Sequence, residues 1–582
     1  INKTGIHKIT FDDFKTLGIH TAQLPTHRIA LFGNGGHMLA ENTSDFVYDD
    51  LQEIPIQVID LNNNGVFEEE DYVLFYAVGI IAWKPSSDYY SHTLNIYADY
   101  AYYFINVDEH IGLKKRIQQK AESSQSKTHE VSTYDFYDLY EKDQLCPNDE
   151  GRIWFSDAYD AITSYDYAMH LPDIQDGEKA VLRFSVASRS SAYPQFTFTI
   201  NSAQQFQLTL PPHKDGVIQL GTYSFIPNSN AININVNYQK PTNNSVGWLD
   251  YIEMFARCKL QFANTSQLSF RNKSVVGDAN IVEYVFNTQG NLTTVWDVSD
   301  PVNVVKVEGR LNANIFRFKS EANVLREFVA FYGSSFYSII PIGKIQNQNL
   351  HGINTADFVI ITHPDFIQSA QELADFRASN DGFSTTVVTT TQIYNEFSSG
   401  RQDIAAIRNF LKMLYDRSNA TSPQNVLLFG KASVDFRDRT GTASNFIPNY
   451  QGSCPFDKNK CLSTDDFFVK LDDGEGMNNM GTMDAGIGRF PVRTKTQAQI
   501  VVQKTKNYSS QKLLSTTTSN SVSNFADWRN VVTFCADDDA DQYHFYDAEG
   551  QANFIADNYP VINIDKIYLD AFKKVSTSQG QR

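Results

Sequence analysis

The sequence predicts a multidomain protein in which β-rich domains, a β-sandwich among them, precede an α/β domain with a mostly parallel sheet. Three observations lead there. The chain has 582 residues, too many for one core, and at about 150 residues per domain it should hold roughly four. Its first 270 or so positions carry short period-2 apolar runs cut by Asn, Gly, Ser and Pro turns, the pattern of half-buried strands. Near residue 350 the rhythm changes to strands alternating with amphipathic helices, which is how βαβ units and a mostly parallel sheet read.

Taken in order, residues 1–110 form a β-rich domain that includes a calcium-type loop. Residues 111–275 form the sandwich, with AVLRFSVAS (180 to 188), PQFTFTIN (194 to 201) and the run from Ala231 to Tyr238 as strands, and Trp248 as a large core residue. Residues 276–350 form a β-rich linker domain built on VEYVFN, TTVWDVSD and VLREFVAFYG. The α/β part runs in two stretches, 351–520 and 521–582. In the first, FVIIT (358 to 362) is a buried strand, and Pro364 presets a helical turn before Phe366, Ala370, Leu373 and Ala374 share one face. Next come STTVVTT (384 to 390), a helix with Ile404, Ile407, Leu411 and Leu414 on one side, and VLLFG (426 to 430). AGIGRFPV, a helix carrying Ala498, Val501 and Tyr508, the strand NVVTFC, a helix near 543 to 558 and INIDKIYLD complete the series.

The totals exclude some functions. A net charge of -18 and a pI near 5.1 repel nucleic acid and anionic lipid, so no nucleic-acid partner is expected. The longest apolar stretch, Val73 to Trp83, falls short of the 18 or so residues of a membrane helix, so the chain has no transmembrane segment of its own. It opens at Ile1, which fits a mature exported chain or a trimmed one and does not choose between them. Five cysteines form no disulfide framework or CxxC metal site; Cys454 and Cys461 alone are close enough in sequence to suggest a local bridge.

The most specific local signal is DLNNNGVFEEED. Asp60, Asn62, Asn64, the Val66 carbonyl, Glu68 and Asp71 stand at positions 1, 3, 5, 7, 9 and 12 of a calcium loop, with Gly65 at the sharp turn. Calcium, a hard cation, takes such an oxygen cage. Position 12 is Asp rather than the usual bidentate Glu, and strands flank the segment, so a bound ion would clamp a hairpin; a solvated Asx-rich turn is the competing reading. Two acidic clusters, Asp465 with Asp466, Asp472, Asp473 and Glu475, and Asp537 to Asp541, fall in loops of the α/β part, where either a cation or basic partner or plain solvation accounts for them. For nucleophilic catalysis, Cys454, Cys461 and Cys535 would have to meet His363 or His544. Cys535 ends an apolar strand and reads as a small buried hydrophobe, His363 reads as a cap, and GNGGHM (33 to 38) reads as a hairpin turn rather than a phosphate loop.

Several strings from Gln346 onward, QNQNLHGI, ADFVIITHPDF, IYNEFSSGRQDIAAIRNFLK, TDDFF, AGIGRFPVRT and ADWRNVVTFCADDD, together resemble the gingipain-type (C25) cysteine peptidases. The amino-terminal strings KTGIHKITFDDF, LFGNGGHML, NNGVFEEEDYVLFYA and VGWLDYIEM resemble the longer branch of that family that serves type IX secretion as a surface sortase. The resemblance implies a caspase-like α/β/α peptidase domain in two subdomains, incomplete at the carboxyl end, since the family's Gly-His-Gly turn and later Cys are expected beyond Arg582. At FGKASVDF (429 to 436) relatives commonly carry Gly-Asp-Gly; here Lys431 and Ala432 stand instead, and Asp435 remains.

By the same resemblance, the whole protein removes the carboxyl-terminal secretion signal of cargo proteins through a Cys thioester and joins the cargo to anionic lipopolysaccharide. Its place is the extracellular face of the bacterial outer membrane, held there by secretion partners. Two rivals stand beside it. One is a noncatalytic docking module that binds cargo or secretion partners; the other is a carbohydrate-binding sandwich, which requires exposed aromatics around Trp154 or Trp248.

Overall fold

A computed structural model describes the chain apart from residues 150, 264, 443–444, 454–455, 457–460, 510–526, 539–540, 574–575, 578–579 and 582. It divides into two compact units, Ile1–Ala498 and Gln499–Arg582.

Alternation builds the sandwich. In Ala231–Gln239 the residues Ile232, Ile234, Val236 and Tyr238 are buried while their neighbours Ala231, Asn233, Asn237 and Gln239 are exposed, so one face closes on a core. This strand pairs antiparallel with Ser164–His170 and Gln195–Ile200, and Gln204–Thr209 completes the sheet. The facing sheet runs Thr133–Glu141, Val246–Lys259, Ala180–Ser190, His213–Phe225. Phe184 from one sheet stacks on Phe198 of the other with centroids 3.8 Å apart, inside a core that continues without a break to Phe328 and Ala330. Trp248 is buried but faces away from that core. Its neighbours Gly247 and Leu249 point the other way, and Trp248 instead packs with Phe155 and with Phe456 from the α/β part.

Consecutive ranges convey little of how the remaining strands interleave. Gly5–Thr10 lies between Tyr72–Ala77, antiparallel, and Tyr337–Ser338, parallel. Gln118–Lys120 joins the sheet of Gln267–Arg271, Glu327–Phe331, Thr294–Asp297 and Val305–Val307, and His129–Val131 joins that of Ile281–Asn287, Ile315–Glu321 and Arg310–Asn312.

GNGGHM is no hairpin turn. Its strand, Ala30–Phe32, pairs with Glu53–Ile54 and Phe104–Asn106, so residues 33–52 are a long connection. The glycines serve close approach: a Cβ on Gly36 would lie 2.6 Å from the Gly79 carbonyl oxygen.

The α/β part carries a parallel sheet in the order Thr385–Thr389, Phe358–Thr362, Asn425–Phe429, Gly486–Phe490. Val359 and Ile361 face a core shared with Ile404, Ile407, Phe410, Leu411 and Leu414 of the helix Ile404–Arg417. Ile360 points to the other face and is equally buried. The helix Ile367–Asp381 buries Ala370, Leu373 and Ala374 outside that core and packs beside Phe358–Thr362 and Thr385–Thr389. The second unit contains the parallel pair Val531–Ala536 and Asn563–Tyr568 with the helix Tyr543–Asn558. Cys535 is exposed there, contrary to its expected burial, because alternation gives Ala536 the covered face.

Among the described residues no helix is long and apolar enough to cross a membrane. The bridge between Cys454 and Cys461 lies outside the described residues, since Cys454 is not among them.

Candidate functional site

Residues 60–71 connect Ile56–Ile59 to Tyr72–Ala77, which are antiparallel neighbours, so the calcium-type loop is the tip of a hairpin. Short Asx side chains reach back to nearby backbone N–H groups and wind the segment tightly. Asp60 Oδ2 accepts from Gly65 N at 2.8 Å, Asn62 Oδ1 from Asn64 N at 3.1 Å and Asn64 Oδ1 from Val66 N at 2.8 Å. Asp71, 3% exposed, closes the ring, its Oδ1 accepting from Leu61 N at 2.9 Å and its Oδ2 from Glu68 N at 2.8 Å. The Glu68 carboxylate accepts from Asn62 Nδ2 at 2.6 Å. Gly65 turns with φ +78°, a conformation that L residues adopt only at a cost. Phe67, fully buried against Phe14, and the Gly65 carbonyl, which accepts from Thr26 N at 3.0 Å, pin the tip to the domain.

The segment thus brings Asp60, Asn62, Asn64, Glu68 and Asp71 into one oxygen-lined loop. Among the described residues, no group of three or more His, Cys, Asp or Glu side chains is placed to hold a metal by itself. A cation in this loop therefore needs the amide oxygens of Asn62 and Asn64 and the Val66 carbonyl as well as the carboxylates, which suits an oxygen-preferring ion such as calcium.

The second candidate region is the carboxyl edge of the parallel sheet, where loops of an open α/β sheet form crevices. His363 follows Phe358–Thr362 and caps the next turn, its Nδ1 accepting from Asp365 N at 3.3 Å, with its ring edge-on to Phe446. Burial lowers its pKa. Asp435, 3% exposed, closes a turn rather than facing the crevice, accepting from Thr440 N at 2.7 Å and from Arg439 Nη1 at 3.2 Å. Burial opposes its charge, but the hydrogen bonds from Thr440 and Arg439 outweigh that and hold its pKa below the usual carboxylate range. Arg439 and Arg437 both reach Asp143, so this turn also fastens the sandwich to the α/β part. The Lys431 backbone spans neighbouring loops, its N–H donating to Val492 O and its carbonyl accepting from Phe446 N.

The first acidic cluster disperses into separate pairings. Asp465 is bound by Arg489, Asp472 by the Tyr415 hydroxyl, Asp473 by Lys412 and Glu475 by Thr482 N. In the second cluster Asp537 holds His544 Nδ1 at 2.6 Å, both exposed. Sequence reasoning missed the buried guanidinium groups of Arg401 and Arg408, each 1% exposed, which donate to the carbonyls of Gly35 and Ala40. The only trace in the sequence is Arg408, a charge set into the otherwise apolar face of the helix Ile404–Arg417; Arg401, in the connection before that helix, leaves none. The requirement of a carbohydrate-binding sandwich is not met, for Trp154 and Trp248 are each 5% exposed and the Arg439 guanidinium covers the Trp154 ring at 4.2 Å.

Residues 352–582, which contain this sheet, match Peptidase family C25. Over those residues the chain resembles the gingipain-type peptidases. Its fold matches dimeric latent PorU from Porphyromonas gingivalis with a TM-score of 0.74 and 24% identity, over 87% of this chain and 49% of that one. At that identity the likeness establishes a shared fold, and this chain spans about half the length of the PorU chain. Two carbohydrate-binding modules align far more weakly. A CBM36 in complex with calcium and xylotriose gives a TM-score of 0.13 at 13% identity over 17% of this chain and 77% of its own. The CBM35 from Cellvibrio japonicus Abf62 gives 0.16 at 11% identity over 20% and 92%. Neither score carries an argument. No curated protein matches the sequence.

Proposed function

We propose that this chain is the amino-terminal part of a PorU-like surface cysteine endopeptidase and sortase serving a type IX secretion system. The fold match over 87% of the chain carries the reading, and the C25 match of residues 352–582 supports its peptidase class. The peptidase domain is caspase-like, and its catalytic His and Cys lie beyond Arg582. With its proton taken by the His, the Cys sulfur attacks the carbonyl carbon that precedes a cargo protein's carboxyl-terminal secretion signal. A C–S bond forms, the C–N bond breaks, and the signal leaves with a protonated amine. An amine of anionic lipopolysaccharide then attacks the thioester, restoring the thiol and leaving the cargo attached through an amide. Water in its place gives hydrolysis.

The protein works on the extracellular face of the outer membrane, held by secretion partners, and the 60–71 loop carries a structural calcium ion. The part described here supplies the scaffold: strands and helices that fix the loops at the sheet's carboxyl edge, and β-domains bolted to it through Arg401, Arg408 and the Arg437, Arg439 and Asp143 group.

The test is the protein from its native host. Its intact mass should lie well above 65.9 kDa, and the full-length form should cleave a cargo tail with an activity that thiol alkylation abolishes. A mass equal to this chain alone, or cleavage indifferent to alkylation, sinks the reading and leaves the noncatalytic docking module.

A further inference from the structure

Two loops distant in sequence meet on one surface. Thr43 N donates to Glu475 O at 2.9 Å, Thr43 Oγ1 to Asp472 O at 2.7 Å, and Glu475 N to Thr43 Oγ1 at 3.1 Å. Between them and the start of the helix Ile404–Arg417 opens a pocket of about 260 Å³, with Met38, Leu39, Ile404 and Met477 as apolar walls. That volume is below the roughly 300–1,000 Å³ of pockets that enclose a whole small molecule and suits one side chain. Tyr97, 5% exposed, also lines it, with a buried hydroxyl that has no hydrogen-bond partner among the described residues.

Exposed apolar side chains stand close in sequence to the lining residues Asp45, Met477 and Asn478. Phe46 is 80% exposed, Met477 57%, Met480 70% and Met483 57%, and these three are the only exposed methionines among the described residues. Asn478 and Asn479, both left-handed at φ 51° and 58°, turn the chain so that Met480 N donates to Met477 O at 3.0 Å and the two methionines flank one tight turn. Exposed apolar groups gathered about a pocket mark an interaction surface, and methionine adapts its shape to varied partners.

Charge narrows the partner. Segment 38–52 contains Glu41, Asp45, Asp49 and Asp50, segment 471–488 contains Asp472, Asp473, Glu475 and Asp484, and neither contains Lys or Arg. Some of this charge is met from outside, Glu41 by Arg152 and Asp473 by Lys412. Asp45, at the pocket and exposed, has no ion pair among the described residues.

We propose that this surface docks a polypeptide segment of a partner protein in which a long apolar side chain, seated in the pocket, is flanked by lysines or arginines. The site uses none of the thiol chemistry proposed above, so it stands or falls separately. Apolar contact with the methionines supplies the anchor, and the carboxylate rim selects basic flanks.

The probe is a labelled short peptide carrying Leu between lysines in a Gly/Ser background, followed by fluorescence anisotropy on the full chain. Two control peptides replace Leu by Ser or the lysines by Glu. Binding should weaken at least about tenfold with either control peptide and with Met477→Lys, persist in Met477→Leu, and fall between about 0.05 and 0.5 M salt. Hydrogen-exchange protection should concentrate in 38–48 and 475–484. Phe46→Ser, at a largely exposed position, repeats the test should Met477→Lys fail to fold. Absence of binding, equal binding by either control peptide or by both variants, or protection confined to other segments overturns the proposal.

Discussion

Arg489 and Asp465 meet fork to fork, with Nε 2.8 Å from Oδ2 and Nη2 2.7 Å from Oδ1. The same guanidinium donates at 2.8 Å to the carbonyls of Gly430 and Ile447, so one side chain ties the strand Gly486–Phe490 to two neighbouring loops. Lysine keeps the charge but cannot reproduce the fork. Arg489→Lys should cost about 1–3 kcal/mol and Asp465→Ala about 3 kcal/mol, read as lowered urea midpoints. An unchanged midpoint in Arg489→Lys would show that the fork adds nothing beyond charge.

His92 stands between two carboxylates, Nδ1 2.7 Å from Glu253 and Nε2 3.1 Å from Glu141, and so clamps the hairpin of Ile81–Pro85 and Tyr90–Leu94 onto the sandwich. Burial alone would lower its pKa, but hydrogen bonds and charge from Glu141 and Glu253 raise it to about 9. A raised histidine stabilises the fold fully below its unfolded pKa of 6.5, and that contribution disappears as pH climbs to about 9. Burial pushes neighbouring Asp250 up to about 7, which makes stability fall with pH through the window just below. The melting temperature should therefore decline between pH 6.5 and 9, and His92→Gln should flatten that decline. A proton NMR titration of His92 with its midpoint near 6.5 would refute the clamp.

Calcium should raise the melting temperature in a manner reversed by chelator. At a hundredfold excess over Kd the gain is about 2.7 kcal/mol. Asp60→Asn and Asp71→Asn should each abolish the shift, and Asp71→Asn should also destabilise the metal-free protein, because its carboxylate serves both Leu61 N and Glu68 N. If chelator-treated wild type melts at the same temperature with and without added calcium, the loop is an Asx turn and no more.

Phe456 lies across Gly216, where an added Cβ would approach its Cγ to 2.4 Å, and where φ is +126°. Gly216→Ala should cost about 2 kcal/mol or more through this contact and the backbone conformation. Phe456→Ala should cost roughly 1–3 kcal/mol by uncovering Trp248 and Phe155. Fluorescence of Trp248 offers the readout: a red shift in Phe456→Ala is expected, and an unmoved spectrum would mean that this ring does not cover it.

Local periodicity made much of the architecture readable. Ile404, Ile407, Leu411 and Leu414 mark a helix face by spacing alone, and Ile232, Ile234 and Val236 mark a strand face, because each pattern is fixed by its own segment. Trp248 shows the limit. Its strand was evident, but which side of the sheet it faces depends on Phe456, more than two hundred residues later. Arg401 and Arg408 were illegible for the same reason: a guanidinium is buried only when distant carbonyls, here those of Gly35 and Ala40, come to meet it. The docking pocket likewise forms only when segment 38–45 meets 477–478.

The strand Gly5–Thr10 pairs early in the chain with Tyr72–Ala77, yet its other edge waits for Tyr337 and Ser338. During synthesis, more than three hundred residues must emerge before that edge is closed. Until then a row of unpaired N–H and carbonyl groups stands open to any passing strand. The protein therefore has a long adolescence, in which that open edge must be kept from other strands.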